Sequence, residues 1–174
     1  VDPFYGGRTF LVPSRRTEGI RERVEHDGAV AEPLHDDDVR EAARELASAG
    51  VESIAICYLF SFVRPDHERR TAELVAEVAP DCHVSLSSAV APRIREYRRL
   101  STTAVDAYVA PTLRSYLADL EAALDDLGVA GGRRYFMLSH GGLVPFGTAT
   151  ENACRTLLSG PAAGVEGAAY VAGL

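Results

Sequence analysis

Between Val51 and Phe62 the chain is almost continuously apolar, the pattern of a strand covered on both faces. Pro65 follows, and Ala72, Leu74, Val75 and Val78 then recur on one helical face until Pro80. A second apolar stretch, His83 to Leu86, comes next. Strand, helix and strand at this spacing predict a βαβ unit with parallel strands and a right-handed crossover. The expected class is therefore α/β, with long helices packed on a mixed sheet. His67 and Glu68 fall in the first turn after Pro65, where an acid favours the helix dipole and a capping role is expected of Glu68.

The flanking segments extend this plan. Phe10 to Val12 and Ile20 to Val24 read as short strands, and Asp27-Gly28 as a turn into a third, Ala29 to Ala31. Asp36-Asp37-Asp38 marks a helix start, with the acids expected to cap amides. Val39, Ala42, Ala43 and Leu46 form the apolar face of that helix, and Gly50 ends it. Ser87 to Leu127 reads as mostly helical, opened by Pro92 and kinked or split at Ala110-Pro111. Leu113, Tyr116, Leu117, Leu120 and Leu124 share the spacing of a core-facing stripe, and Gly128 stops the helix. A buried strand, Tyr135 to Leu138, follows.

Composition limits the function classes. With 174 residues, 47% of them apolar and 25% charged, the chain suits one globular domain with a real core. A net charge of −7 argues against a nucleic-acid partner. All 18 basic residues are Arg, which excludes a lysine nucleophile, a Schiff base and a P-loop lysine within this chain. The three cysteines, Cys57, Cys82 and Cys154, are far apart without metal-ligand spacing, so reduced thiols in a cytoplasmic protein are expected. No apolar run reaches membrane-spanning length and no signal peptide is visible. The first residue is Val rather than Met and the last follows a helix, so an internal piece of a longer protein is expected.

The last third carries the candidate chemistry. Met137-Leu138-Ser139-His140-Gly141-Gly142 is a strand end running into a paired-glycine loop, which permits positive φ and close approach of a backbone or ligand. His140 stands at a strand C-terminus, where α/β sheets place ligands, although a structural hydrogen bond would suit it equally. In Ser159-Gly160-Pro161-Ala162-Ala163-Gly164, Ser159 reads as an N-cap and Pro161 as the first helical residue of a thin helix. Free amides at such a start favour an anion, while tight helix packing explains the same composition. Neither G-x-x-x-x-G-K-[ST] nor G-x-G-x-x-G is present. Arg93, Arg95, Arg98 and Arg99 surround Glu96 and Tyr97. On a helix Arg95 and Arg98 or Arg99 share a side and could clamp a carboxylate or phosphate, or the group could form a solvated face pairing with neighbouring acids or with another part of the protein. Ser101-Thr102-Thr103 suits either polar contacts at a boundary or helix back-bonding.

Together these pieces resemble the hydantoinase A/5-oxoprolinase family, which includes the ATP-dependent acetone and acetophenone carboxylases. The matching stretches are Pro33-Leu34, Cys57 to Glu68, Arg95-Glu96-Tyr97 with Ser101-Thr102-Thr103, Ala107 to Pro111, Met137 to Gly142 and Ser159 to Ala168. The family usually has His in place of Phe60, Asn in place of Arg64 and Asp106, and acids in place of Ala89, Arg93 and Arg98. The resemblance implies an internal fragment, residues 1–174, of an actin-like ATPase with a ribonuclease H-like fold. Residues to about 85 would end the family's N-terminal region and those from about 86 would begin its A domain. It implies ATP and Mg²⁺ in the parent, with both Asp-x-Gly-Gly-Thr phosphate loops outside this chain and neither ligand bound by it alone. The implied activity is ATP-dependent opening of a hydantoin or lactam ring, with a second, hydantoinase B-type, subunit or domain as partner. A ketone carboxylase subunit and a non-catalytic scaffold are the alternatives. The resemblance sets Ser139, His140, Gly141 and Gly142 near substrate or nucleotide. Ser159, Gly160 and Gly164 go to the lobe interface with Arg95 and Glu96 behind them, and no residue receives a catalytic role or a metal.

Overall fold

A computed structural model describes residues 11–129 and 134–173. The chain divides into two compact units, one through Val105 and one from Asp106. The expected strand at Phe10 to Val12 lies partly outside the described residues; Leu11 and Val12 are exposed bends before Pro13.

In the first unit β1 (Arg23–Val24) and β2 (Val30–Glu32) form an antiparallel hairpin. Gly28 takes φ 86° at its turn, and Asp27 Oδ1 accepts the Ala29 N–H at 2.9 Å. Helix α1 (Asp36–Ser48) starts where expected, but no side chain caps it. Asp38 and Asp36 instead take Arg21 at 2.6 Å and Arg70 at 2.7 Å, because a guanidinium fork offers a carboxylate more than one exposed amide does. Those bonds hold the Asp38 carboxyl down at about 2.

The βαβ unit is present. Strand β3 (Ser53–Ile56) pairs in parallel with β4 (His83–Leu86), Ser53 opposite His83 and Ile56 opposite Leu86. Helix α2 (Asp66–Val78) lies between them in sequence, straight after Pro65. Val39 and Ala43 of α1 pack with Leu74 and Val75 of α2, and Ile54 and Val84 of the two strands close this core. At about 1.5–3 kcal/mol for each large buried aliphatic side chain, this interior is what holds the short strands together. The long apolar run is only partly strand, since beyond Ile56 it folds into turns through Val63.

Tyr58, within those turns, donates its hydroxyl to Thr71 Oγ1 at 2.9 Å, the Thr71 hydroxyl being committed to the His67 carbonyl. Burial pushes the Tyr58 hydroxyl up to about 12 from 10.0. The charged form is disfavoured only in the folded state, so the contribution is complete below pH 10 and is lost as pH rises through 12. Tyr58→Phe is therefore expected to flatten the loss of stability between about pH 10 and 12 in denaturant titrations. An unchanged slope would remove Tyr58 as its source.

Helix α3 (Ser87–Val90) follows β4 directly, and α4 (Glu96–Asp126) begins after Pro92 rather than at it. Helix α4 also runs through Pro111 as one element instead of splitting. The lost N–H costs about 3 kcal/mol, which burial of Ala110, Leu113 and Leu117 nearby offsets.

In the second unit those three residues meet Phe146, Ala149 and Ala153 in the core, with Leu120 and Leu124 at its margin. Tyr116 is 53% exposed and does not join them. Strand β5 (Tyr135–Met137) pairs antiparallel with a strand that the sequence did not announce, β6 (Leu143–Pro145). Helix α5 (Phe146–Glu151), a 3₁₀ turn (Ala153–Thr156) and α6 (Ser159–Ala172) complete the unit. Among the described residues the strands make three two-stranded sheets, not one mixed sheet. The longer sheet fails because the apolar residues after Ile56 leave the strand path. No described helix is long and apolar enough to cross a membrane.

Candidate functional site

The loop from Leu138 to Gly142 closes the β5–β6 hairpin and is held by backbone bonds. Leu138 N–H donates to the Gly142 carbonyl at 2.7 Å, and Gly141 N–H to the Leu138 carbonyl at 3.0 Å. Ser139 ties the loop to the 3₁₀ turn, since its N–H and its hydroxyl both donate to the Arg155 carbonyl, at 2.7 and 2.6 Å. The turn is fixed by a buried acid: Asp106 Oδ1 accepts the Cys154 N–H at 2.8 Å. Burial, with Asp106 close by, pushes the Cys154 thiol up to about 11.

Each glycine of the loop makes room for one ionisable side chain. Gly141 sits at φ 87°, and a Cβ there would lie 2.7 Å from Glu166 Oε1 of α6. A Cβ on Gly142 would lie 2.7 Å from His140 Cε1, and the Gly142 N–H donates to His140 Nδ1 at 3.2 Å. Glu166 gave no signal in the sequence because its partner is a backbone surface, not a charge. Gly141→Ala is expected to cost about 1–2 kcal/mol in urea unfolding, from the left-handed backbone and displacement of Glu166. Adding Glu166→Ala should restore the part due to the carboxylate. A single variant as stable as the parent would remove the close approach.

Helix α6 departs from the expected start. Ser159 is its first residue, not a cap; Leu158 precedes it at φ 62°, and Pro161 is third. The cap position falls on Leu158, whose side chain has no acceptor, and no side-chain cap bond forms. Gly160 and Gly164 face open space, and no residue of α6 is buried. The surface therefore leaves room for a backbone or a ligand. The chain has no lysine, and among the described residues no three His, Cys, Asp or Glu side chains are grouped to hold a metal.

Arg95 and Glu96 belong to the first unit, at the start of α4, and both are exposed. Arg95 adopts φ 80°. The arginine cluster is not one clamp. Arg99 turns inward and is 1% exposed, while Arg93, Arg95 and Arg98 stay outside. Arg99 donates to Ser87 Oγ at 3.0 Å, to the Arg93 carbonyl at 3.0 Å and to the Tyr58 carbonyl at 2.8 Å, and it lies 5.2 Å from the Phe62 ring centre. Ser87 donates onward to Glu68 Oε1 at 2.5 Å, so Ser61 must be the donor in its 3.0 Å bond to Ser87.

Glu68, fully buried, also accepts the Tyr58 and Ser88 N–H groups at 3.0 and 2.8 Å. It therefore anchors two loops instead of capping its own helix, because three converging donors outcompete one exposed amide. His67 pairs with Glu22 at 2.7 Å. Ser101, Thr102 and Thr103 all bond back to the carbonyl four residues before, at 2.8, 2.9 and 2.8 Å.

Residues 3–79 match the hydantoinase/oxoprolinase N-terminal region and residues 99–174 match hydantoinase/oxoprolinase. The chain is 34% identical over 171 residues to the caprolactamase subunit alpha of Pseudomonas jessenii, covering 98% of this chain and 24% of that one. The crystal structure of the ATP-dependent caprolactamase from that organism superposes with a TM-score of 0.84 at 33% identity, over 93% of this chain and 23% of that chain. Nucleotide-free acetone carboxylase, solved in a study of ATP-dependent acetone carboxylation, superposes with a TM-score of 0.83 at 34% identity, over 94% and 23%. The 5-oxoprolinase of Saccharomyces cerevisiae is 39% identical over 129 residues, 74% of this chain and 10% of that one. The chain thus spans about a quarter or less of the length of these relatives. Taken with the two family matches, which between them take in most of the sequence, this places the chain in the hydantoinase/oxoprolinase family.

Proposed function

We propose that this chain is part of an ATP-dependent amidase that opens a cyclic amide such as a lactam or hydantoin. The observation that carries the reading is its end-to-end likeness to the caprolactamase alpha subunit in sequence and fold. Phosphorylating the ring carbonyl oxygen from ATP would make its carbon electrophilic enough for water, chemistry that calls for Mg²⁺ and donors aimed at the developing charge. The fold of the parent is of the actin-like, ribonuclease H-like ATPase type. The triphosphate and its metal are held by polypeptide that the relatives carry outside the matched quarter. In that arrangement the Ser139–Gly142 loop faces the small-molecule side, and the bare α6 surface with Ser159, Gly160 and Gly164 faces another lobe. Arg95 and Glu96, at the start of α4, serve as further polar contacts for another part of the parent. Several relatives are named as alpha, beta or gamma subunits, which supports further subunits in the parent; on this reading one of them is of the hydantoinase B type and the parent works in the cytoplasm.

The near-equal likeness to acetone carboxylase favours a second reading, a ketone carboxylase subunit using bicarbonate. Phosphate release by the parent enzyme separates them. Stimulation by caprolactam, 5-oxoproline or hydantoin with ring-opened product is the expected result. Stimulation only by ketone with bicarbonate would replace the amidase by a carboxylase. Turnover with neither would leave a scaffold role.

A further inference from the structure

His140 is fixed in a way that its exposure hides. The Gly142 N–H can only donate, so Nδ1 is the acceptor and a neutral ring carries its proton on Nε2. The ring rests against the Gly142 Cα, where any Cβ would fall 2.7 Å from Cε1 and 3.1 Å from Nδ1. No described residue accepts from Nε2. One ring nitrogen is thus held by backbone, and that bond sets the other, which meets no acceptor among the described residues, as the N–H side of the neutral ring on an exposed loop. The charged side chain that lies against the loop is that of Glu166 of α6, beside Gly141; Arg155 meets the loop through its backbone carbonyl, which takes Ser139. A carboxylate so near disfavours an anionic ligand.

We infer that His140 is a ligand-facing donor whose Nε2–H, oriented by the Gly142 amide, bonds the carbonyl oxygen of a neutral cyclic amide. The inference rests on the amidase reading and adds to it the residue and the charge class of the substrate. The carbonyl oxygen has two lone pairs, so one can accept this bond and fix the ring while the other is offered to the phosphoryl group.

Histidine ¹⁵N spectra of the enzyme, with His140→Gln to assign the signal, test it alongside turnover. The expected result is the Nε2–H tautomer at His140, lost in Gly142→Ala and perturbed by caprolactam but not by ATP alone. In turnover, His140→Ala should lower kcat/KM for caprolactam about tenfold, the worth of one such hydrogen bond. His140→Gln, which can place an N–H donor at similar reach, should recover most of it. Glu166→Gln should improve 5-oxoproline relative to caprolactam. A proton on Nδ1, or a signal moved by ATP and not by caprolactam, would overturn the inference. So would lactam turnover unchanged in His140→Ala. Absence of lactam turnover in the unmodified enzyme is a different result, since it removes the amidase reading itself.

Discussion

Replacing Arg99 with leucine should destabilise the first unit by about 3–5 kcal/mol, the usual cost of removing one charge from a buried hydrogen-bonded network. The guanidinium is 1% exposed and satisfies the Tyr58 and Arg93 carbonyls as well as Ser87 Oγ. Its loss removes the guanidinium contact of the buried Ser87 hydroxyl and strands two part-buried carbonyls. It also leaves the fully buried Glu68, reached through Ser87, without a nearby cation. Lysine is expected to recover little, because the three donors of an ammonium leave one nitrogen and cannot reach acceptors served by three separate guanidinium nitrogens, nor lay a planar group on Phe62. Arg99→Leu combined with Glu68→Leu should cost less than the two changes added together, since each alone leaves the other polar group unsatisfied. Urea midpoints at constant slope would measure all of this. A loss below about 1 kcal/mol for Arg99→Leu would mean that water replaces the guanidinium, and that the site is not buried in solution.

What could be read beforehand was local. Strand β4, helices α1 and α2 and the stop at Gly128 each follow from apolar period and from Pro or Gly punctuation within a few residues. Misreadings arose where a distant partner decided. The apolar run after Ile56 leaves the strand because Glu68 and Arg99 take the N–H and carbonyl of Tyr58. Four arginines close in sequence looked like one patch. Helical rotation sends Arg99 into the interior, and the sequence alone does not show which face of α4 meets Ser87. Strand β6 is three residues long and ends on Pro145, too short for a period to register. The candidate loop was visible as a loop from its paired glycines. What the glycines admit was not, since Glu166 comes from another element and His140 folds back onto its own backbone.

The same logic predicts the effect of Asp106, which holds the loop at one remove. Asp106→Ala should cost the second unit about 2–3 kcal/mol, the range for a hydrogen bond to a charged group whose partner is left buried. The Cys154 N–H loses its acceptor, the 3₁₀ turn loosens, and the Arg155 carbonyl that anchors Ser139 moves with it. Cys154 gives a direct reading of this chain of contacts. With its thiol at about 11, roughly one molecule in a thousand carries the thiolate at pH 8, so alkylation should be slow. Asp106→Asn keeps an oxygen for the Cys154 N–H and removes only the charge. Its alkylation should rise by less than tenfold, because burial is the larger cause of the shift. Asp106→Ala loses the anchor too and should react faster still, with the turn exposed. If both variants alkylate at the parent rate, Asp106 does not hold the turn, and the support for Ser139 must come from the β5–β6 hairpin alone.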